Sequence, residues 1–182
     1  MAMPLAERRR ANASITAWLL QAFPMRTGTV VGLYWPFKGE FDPRFVIRQW
    51  RAAGARAALP VVVQKDAPLE FREWWPGVPT RKGVFELPVP VDTPLLRPDM
   101  LLIPPIGFDA QCYRLGYGGG YFDRTLAAMD PAPLKIGVAF ELGRIATIHP
   151  QPHDIPMDLI VTETGVTRGV RSCLLPFSPM NS

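Results

Sequence analysis

Four glycines fall within five residues in the stretch Tyr113-Arg-Leu-Gly-Tyr-Gly-Gly-Gly-Tyr-Phe-Asp-Arg124, at Gly116, Gly118, Gly119 and Gly120. Glycines at this density cost backbone entropy on folding, and a chain keeps them where it needs positive φ or where another molecule comes close. Successive N–H groups in such a turn form a concavity for an anion. A helix beginning at Tyr121 would add the partial positive charge of its first turn. Arg114 offers a guanidinium fork suited to phosphate, and Asp123 offers the hard oxygens that magnesium takes. The chemistry indicated is phosphate binding. The segment is neither G-x-G-x-x-G after a strand nor G-x-x-x-x-G-K-[ST], and no Lys or Ser follows the glycines. A Gly-rich surface turn with a solvated Arg and Asp stands as the alternative.

Other reactive side chains carry less. His149 and His153 are the only histidines, and Pro150 and Pro152 prevent them from sharing a helical metal face. Cys112 and Cys173 have no CxxC partner, so neither a zinc site nor a disulfide framework is implied, and both read as ordinary thiols. No Ser-His-Asp or Cys-His arrangement can be argued.

The elements that must position the glycine stretch follow from periodicity and punctuation. Residues 5–23 predict an amphipathic helix with Leu5, Ile15, Trp18, Leu19, Ala22 and Phe23 on one face, Arg8–Arg10 and Asn12 facing outward, and Pro24 ending it. Residues 29–35 and 56–63 read as buried strands, joined by a helix from Pro43 to about Ala53 that Gly54 stops. That β-α-β spacing argues for parallel strands covered by helices, an α/β fold. Residues 69–75 alternate like an antiparallel or edge strand. Residues 76–98 hold six prolines and read as loop, with a turn at Gly83. Residues 99–103 form another buried strand, a helix is expected over about 121–129, and 134–140 and 159–162 are the last clear strands. The tail after Arg168 shows no period. Ligands of open α/β sheets bind outside the carboxyl ends of the strands, where the 36–42, 104–120 and 149–158 loops would fall.

Pro104-Pro-Ile-Gly-Phe-Asp109 followed by Arg114-Leu-Gly-Tyr-Gly-Gly-Gly-Tyr-Phe-Asp123 resembles the signature of the 5-formyltetrahydrofolate cyclo-ligases. Pro152-His-Asp154 and Met157-Asp-Leu-Ile-Val-Thr-Glu163 resemble that family's C-terminal block, in the expected order and spacing, and weaker similarity runs upstream to about residue 28. The resemblance implies a single-domain three-layer α/β/α sandwich with a mostly parallel sheet, spanning 1–182 with an N-terminal helix over 1–23 and a tail over 169–182. It implies ATP- and magnesium-dependent conversion of 5-formyltetrahydrofolate to 5,10-methenyltetrahydrofolate, with ADP and phosphate released. On that basis Arg114, Leu115, Gly116, Tyr117, Gly118, Gly119, Gly120 and Tyr121 would bind ATP, with Arg114 and Tyr121 also catalytic. Glu40, Phe85 and Tyr121 would contact folate, in its mono- or polyglutamylated form, and Asp123 and Asp154 would hold magnesium. Read as residues alone, Glu40 is a solvated loop acid, Asp154 a turn or cap aspartate, and Tyr121 an aromatic packing on the sheet. Arg114→Ala and Asp123→Asn are expected to abolish turnover and leave the chain folded. The sequence departs from the family at its basic N-terminal K-x-x-x-R element, for which Arg8, Arg9 and Arg10 are the candidate substitutes without a residue-by-residue match, at Gly143 where Gln is common, and at Phe122 in place of a second Tyr. A non-catalytic relative that binds folate or a nucleotide is the alternative.

Composition bounds these readings. The 182 residues suit one domain with a sizeable core, at 48% hydrophobic and 20% charged. No apolar run reaches the length of a membrane span, and the N-terminus lacks the h-region of a secretory signal, so a cytoplasmic enzyme is expected. A monomer is expected as well. The net charge of +4 suits phosphate-rich ligands, but the basic residues are scattered apart from Arg8–Arg10, so no nucleic-acid partner is expected.

Overall fold

The computed structural model describes residues 3–37 and 39–169, so most of the expected tail, with Cys173, lies outside the described residues. Five short apolar runs form the parallel body of one sheet: β1 (Val30–Gly32), β2 (Arg56–Val61), β6 (Met100–Ile103), β9 (Leu134–Val138) and β10 (Leu159–Thr162). All four residues of β6 and of β10 are buried, the continuous apolar signature of strands covered on both faces. Antiparallel β3 (Glu70–Trp74) and β11 (Gly165–Arg168) close the two edges, giving the order β11-β10-β9-β6-β1-β2-β3.

The period of two along each strand divides the core. On one face Val31, Leu102, Ile136 and Val161 pack with Ile15 and Leu19 of α1 (Leu5–Ala22) and with Val46, Ile47 and Trp50 of α2 (Arg44–Ala52). On the other, Leu101, Ile103 and Ile160 pack with Phe108, Cys112 and Leu126 of α3 (Tyr121–Ala128). The chain is therefore a three-layer α/β/α sandwich. Among the described residues no helix is long and apolar enough to cross a membrane.

β1 lies inside the sheet with β2 on one side and β6 on the other, so connections leave its two flanks in opposite directions. Such a switch point opens a crevice between the loops at the carboxyl ends of the strands. The seam beneath it is tight. A Cβ on Gly32 would lie 2.3 Å from Leu101 Cδ2, and Val30 and Asp99 bond reciprocally at 2.8 and 2.9 Å.

Four local expectations change. Leu5 and Trp18 are exposed, because the buried stripe of α1 is only Ala11, Ile15 and Leu19. Asn12 is half-buried, and its Oδ1 accepts the Asp42 amide at 3.4 Å, which docks the helix on the 36–42 loop. The proline-rich 76–98 stretch contains a hairpin, β4 (Thr80–Lys82) with β5 (Pro88–Pro90); Pro88 and Pro90 are tolerated because a two-stranded ribbon leaves their donor-less nitrogens on an edge. β11 follows a tight turn at Glu163–Thr164, and its half-exposed, alternating residues hide it among loop-like sequence.

Candidate functional site

The crevice at the carboxyl ends of β1, β6 and β9 holds a cleft of about 260 Å3. Gly39, Glu40 and Phe41 line it from the loop after β1, Pro105, Ile106 and Tyr117 from the segment after β6, and Ala139–Phe140 with Leu142–Gly143 from the end of β9. A second depression of about 360 Å3 lies by Pro98 and Met129, at the amino end of β6; its cation, Arg97, is directed to the Pro131 carbonyl at 2.9 Å. It lies at the opposite end of β6 from the loops that carry chemistry.

The glycine loop is launched by a small hairpin, β7 (Gly107–Phe108) with β8 (Arg114–Leu115). Asp109 is buried and builds its turn: Oδ1 accepts the amides of Gln111 and Tyr113 at 3.0 Å each, and Oδ2 accepts that of Ile148 at 3.2 Å. From Gly116 to Gly120 the backbone is exposed, and among the described residues these five amides donate to no acceptor. Such a row of open N–H groups running into a helix start can receive an anion. The loop has two halves. Gly119 and Gly120 are pinned: the Tyr121 ring leaves only 2.9 Å for a Cβ at Gly119, Gly120 takes φ 61°, and Arg124 Nη1 donates to the Gly119 carbonyl at 2.6 Å. Around Gly116 and Gly118 there is open space, with nothing within 4 Å of a would-be Cβ.

Arg114 is turned away from that loop. Its side chain is 6% exposed, with Nη1 donating to the Ile155 carbonyl at 2.8 Å and Nη2 paired with Asp123 Oδ1 at 2.9 Å. Asp123 Oδ1 also accepts the Ile155 amide at 3.1 Å, so Arg114, α3 and the 149–158 loop form one brace. That contact brings Asp123 beside Asp154, the residue before Ile155. Asp154 Oδ2 caps its own turn through the Gln151 amide at 2.7 Å, while among the described residues its Oδ1 meets His153 Nε2 alone, 3.7 Å away. Asp123 Oδ2 accepts no hydrogen bond among the described residues. Two open carboxylate oxygens on adjacent segments fit magnesium, which takes one or two protein carboxylates and completes its shell with phosphate oxygens and water. No cluster of three or more acidic, His or Cys ligands occurs among the described residues, so the donor set needs those other oxygens.

Glu40 meets the glycine loop across the cleft. Its Oε2 accepts the Phe37 amide at 2.9 Å and its Oε1 accepts the Tyr117 hydroxyl at 3.3 Å, while the Phe37 and Tyr117 rings meet edge to face at 6.2 Å. Burial lifts the Glu40 carboxyl above its ordinary value, against the lowering effect of those two hydrogen bonds. The Tyr117 phenol is raised by burial and then by the nearby Glu40 charge. Below them Tyr34, raised well above the usual phenol range by burial and by the Glu40 and Asp42 charges, donates to the Phe41 carbonyl at 2.9 Å.

The structure thus brings Glu40 and Tyr117 together at one crevice, with the glycines on either side of Tyr117 in the chain, and joins Arg114 and Asp123 in a brace next to Asp154. Phe85 stands apart, 68% exposed at the tip of the β4–β5 hairpin with φ 61°, and has no ring contact among the described residues. Leu115 is exposed beside Gly107. Sequence reasoning passed over Arg124, whose position early in α3 opposes the helix dipole and signals a tertiary role. It also passed over Asp109, whose bond to the amide two residues on is an Asx-turn pattern. Gly143 fits its place, since a Cβ would come 3.2 Å from the Ile106 carbonyl. Cys112 is fully buried, and burial followed by the Asp109 charge pushes its thiol up to about 11, so it is chemically quiet.

Comparison with known proteins gives a consistent result. A sequence model of the 5-formyltetrahydrofolate cyclo-ligase family matches residues 1–163. The 5-formyltetrahydrofolate cyclo-ligase of Escherichia coli K12 is 33% identical over 150 residues, covering 79% of this chain and 82% of that protein. Its Haemophilus influenzae counterpart is 27% identical over 163 residues, covering 85% and 87%. The solved structure of Aquifex aeolicus 5,10-methenyltetrahydrofolate synthetase superposes with a TM-score of 0.77 at 29% identity, over 91% of this chain and 84% of that one. The Mycoplasma pneumoniae synthetase superposes at 0.71 with 26% identity, over 89% and 90%.

Proposed function

Because this chain belongs to the 5-formyltetrahydrofolate cyclo-ligase family, we propose that it is a cytoplasmic, single-domain ligase that uses ATP to close 5-formyltetrahydrofolate to 5,10-methenyltetrahydrofolate. The observation that carries this reading is the row of five open amides at 116–120, on the loop whose Tyr117 hydroxyl reaches Glu40 in the cleft at the sheet's switch point. One side of that crevice offers an anion cradle and the other a desolvated carboxylate, which suits the paired N–H donors of a pterin edge.

A formamide oxygen is a poor leaving group. Transfer of the γ-phosphoryl of ATP to that oxygen, with ADP leaving, makes it a good one; N10 then attacks the formyl carbon and gives up its proton to solvent, the C–O bond breaks and phosphate leaves. The protein's share is positioning and charge stabilisation. The amides of 116–120 would hold the triphosphate, the Tyr121 ring, stacked on Gly119, would border it, and Glu40 would fix the folate ring. Arg114 would act from beneath, holding Asp123 and the 149–158 loop in place. Asp123 and Asp154 would hold magnesium, which when bound neutralises and orients phosphate oxygens. Phe85 would reach folate only if the β4–β5 hairpin tip folds over the cleft.

A non-catalytic folate or nucleotide binder is the second reading, and one observation favours it: the Arg114 fork, the natural partner of a transferring phosphoryl group, is already engaged by Asp123 and Ile155. Near-ultraviolet absorbance separates the two, since methenyltetrahydrofolate absorbs there and the substrate does not. A rise that requires both ATP and magnesium is the expected result. A flat trace from folded protein that still binds folate would establish the binder.

A further inference from the structure

We infer that Tyr117 couples the two ligand subsites: carried on the glycine loop, its hydroxyl holds the Glu40 carboxylate, so that nucleotide on the loop tightens folate binding at Glu40. This rests on the function proposed above and adds a residue that works through Glu40 rather than on the reacting atoms.

Three observations support it. First, Tyr117 lies in the unbraced half of the loop, between Gly116 and Gly118, where a would-be Cβ meets nothing within 4 Å. The half that follows is pinned by the Tyr121 ring and by Arg124, so motion is confined to the segment bearing Tyr117. Second, the Tyr117 residue is 62% exposed, and among the described residues its side-chain hydrogen bond and ring contact are those with Glu40 and Phe37, both on the loop after β1. A tyrosine with so little core packing follows its own backbone. Third, the hydroxyl bond is long, at 3.3 Å, against roughly 2.7–2.8 Å for a well-made O–H···O bond. It has room to shorten as the loop settles on an anion.

Glu40 can serve both partners. Its Oε2 is fixed by the Phe37 amide of its own loop, and Oε1 has a second lone pair beyond the one that Tyr117 uses. When bound phosphate draws the amides of 116–118 together, the hydroxyl moves against Oε1 and locks the carboxylate rotamer toward the cleft. Folate then meets an already ordered acceptor. By linkage, folate tightens nucleotide binding by the same factor.

The test is calorimetric titration of 5-formyltetrahydrofolate into the full chain, with and without the β,γ-imido analogue of ATP plus magnesium. The wild-type protein is expected to bind folate about fivefold more tightly with the analogue present. Tyr117→Phe keeps the ring against Phe37, loses only the hydroxyl, and is expected to bind both ligands with the ratio reduced to about one. A residue that merely shaped the pocket would shift the affinities and leave the ratio intact. A wild-type ratio near one, or an undiminished ratio in Tyr117→Phe, overturns the coupling and leaves the proposed function standing. Failure of the folded wild-type protein to bind either ligand removes the function, and the coupling with it.

Discussion

Removing the Arg114 guanidinium should cost this protein stability as well as turnover, and the size of the loss follows from its surroundings. The side chain is 6% exposed and ties three segments: β8, α3 through Asp123, and the 149–158 loop through the Ile155 carbonyl. Arg114→Ala strands a carboxylate and a carbonyl at once. Breaking a buried ion pair on one side costs about 3–5 kcal/mol. Asp123 is 23% exposed, so water recovers part of this and the low end, about 3 kcal/mol, applies. For a chain of this size the midpoint of thermal unfolding should fall by about 6–12 °C. Asp123→Asn keeps an oxygen for the Ile155 amide but leaves the buried Arg114 charge uncompensated, so a comparable loss of about 3 kcal/mol and a fall of about 6–12 °C are expected. Scanning calorimetry of the two single variants and the double variant gives the coupling between them. The double variant should be markedly more stable than the sum of the single losses, because the stranded charge is gone. An Arg114→Ala variant melting within about 2 °C of wild type would refute the brace and return Arg114 to a purely ligand-facing role.

Glu40→Gln tests the cost of a desolvated carboxylate. Because burial raises the Glu40 value, the folded chain holds that proton more tightly than the unfolded one, so stability falls as pH rises through the raised value and the penalty is full above it. Glu40→Gln should therefore melt above wild type at pH 7 and level with it near the ordinary glutamate value, while losing folate affinity in titrations; an equal margin at both pH values would contradict the assignment. Gly119→Ala should push the Tyr121 ring off its seat, costing about 1 kcal/mol of stability and raising the KM for ATP about tenfold, read from melting curves and initial rates. In a Cys173→Ser background, Cys112 should resist iodoacetamide at pH 8 in the native protein and label freely in denaturant, as mass spectrometry would show.

Much of this arrangement was legible in the sequence because its cause was local. Apolar runs bounded by Pro and Gly mark β1, β2, β6, β9 and β10, and glycine density marks the 116–120 loop whatever surrounds it. Signals that depend on distant partners were not legible. Arg114 carries no mark of its attachment to Ile155, 41 positions away, and Glu40 none of its contact with Tyr117. α1 misled for another reason: Trp18 is apolar enough to be assigned to the core, but only a narrow stripe of the helix touches the sheet. The prolines of 76–98 hid β4 and β5 because proline argues against strands in general, and the exception at an edge appears only once the sheet exists.

The reciprocal bond between Val30 and Asp99 spans 69 positions, which bears on how the chain emerges from the ribosome. β1, α2, β2 and β3 are all made before β6, and they can pair among themselves while one flank of β1 stays open. The crevice has no second wall until Met100–Ile103 arrives, and no glycine loop until after that. Pairings of such long reach are the slow ones in folding, so ligand binding should be among the last properties a newly made chain acquires. Until then the bare flank of β1, with Val31 at its centre, is the edge that a chaperone or another nascent chain would meet.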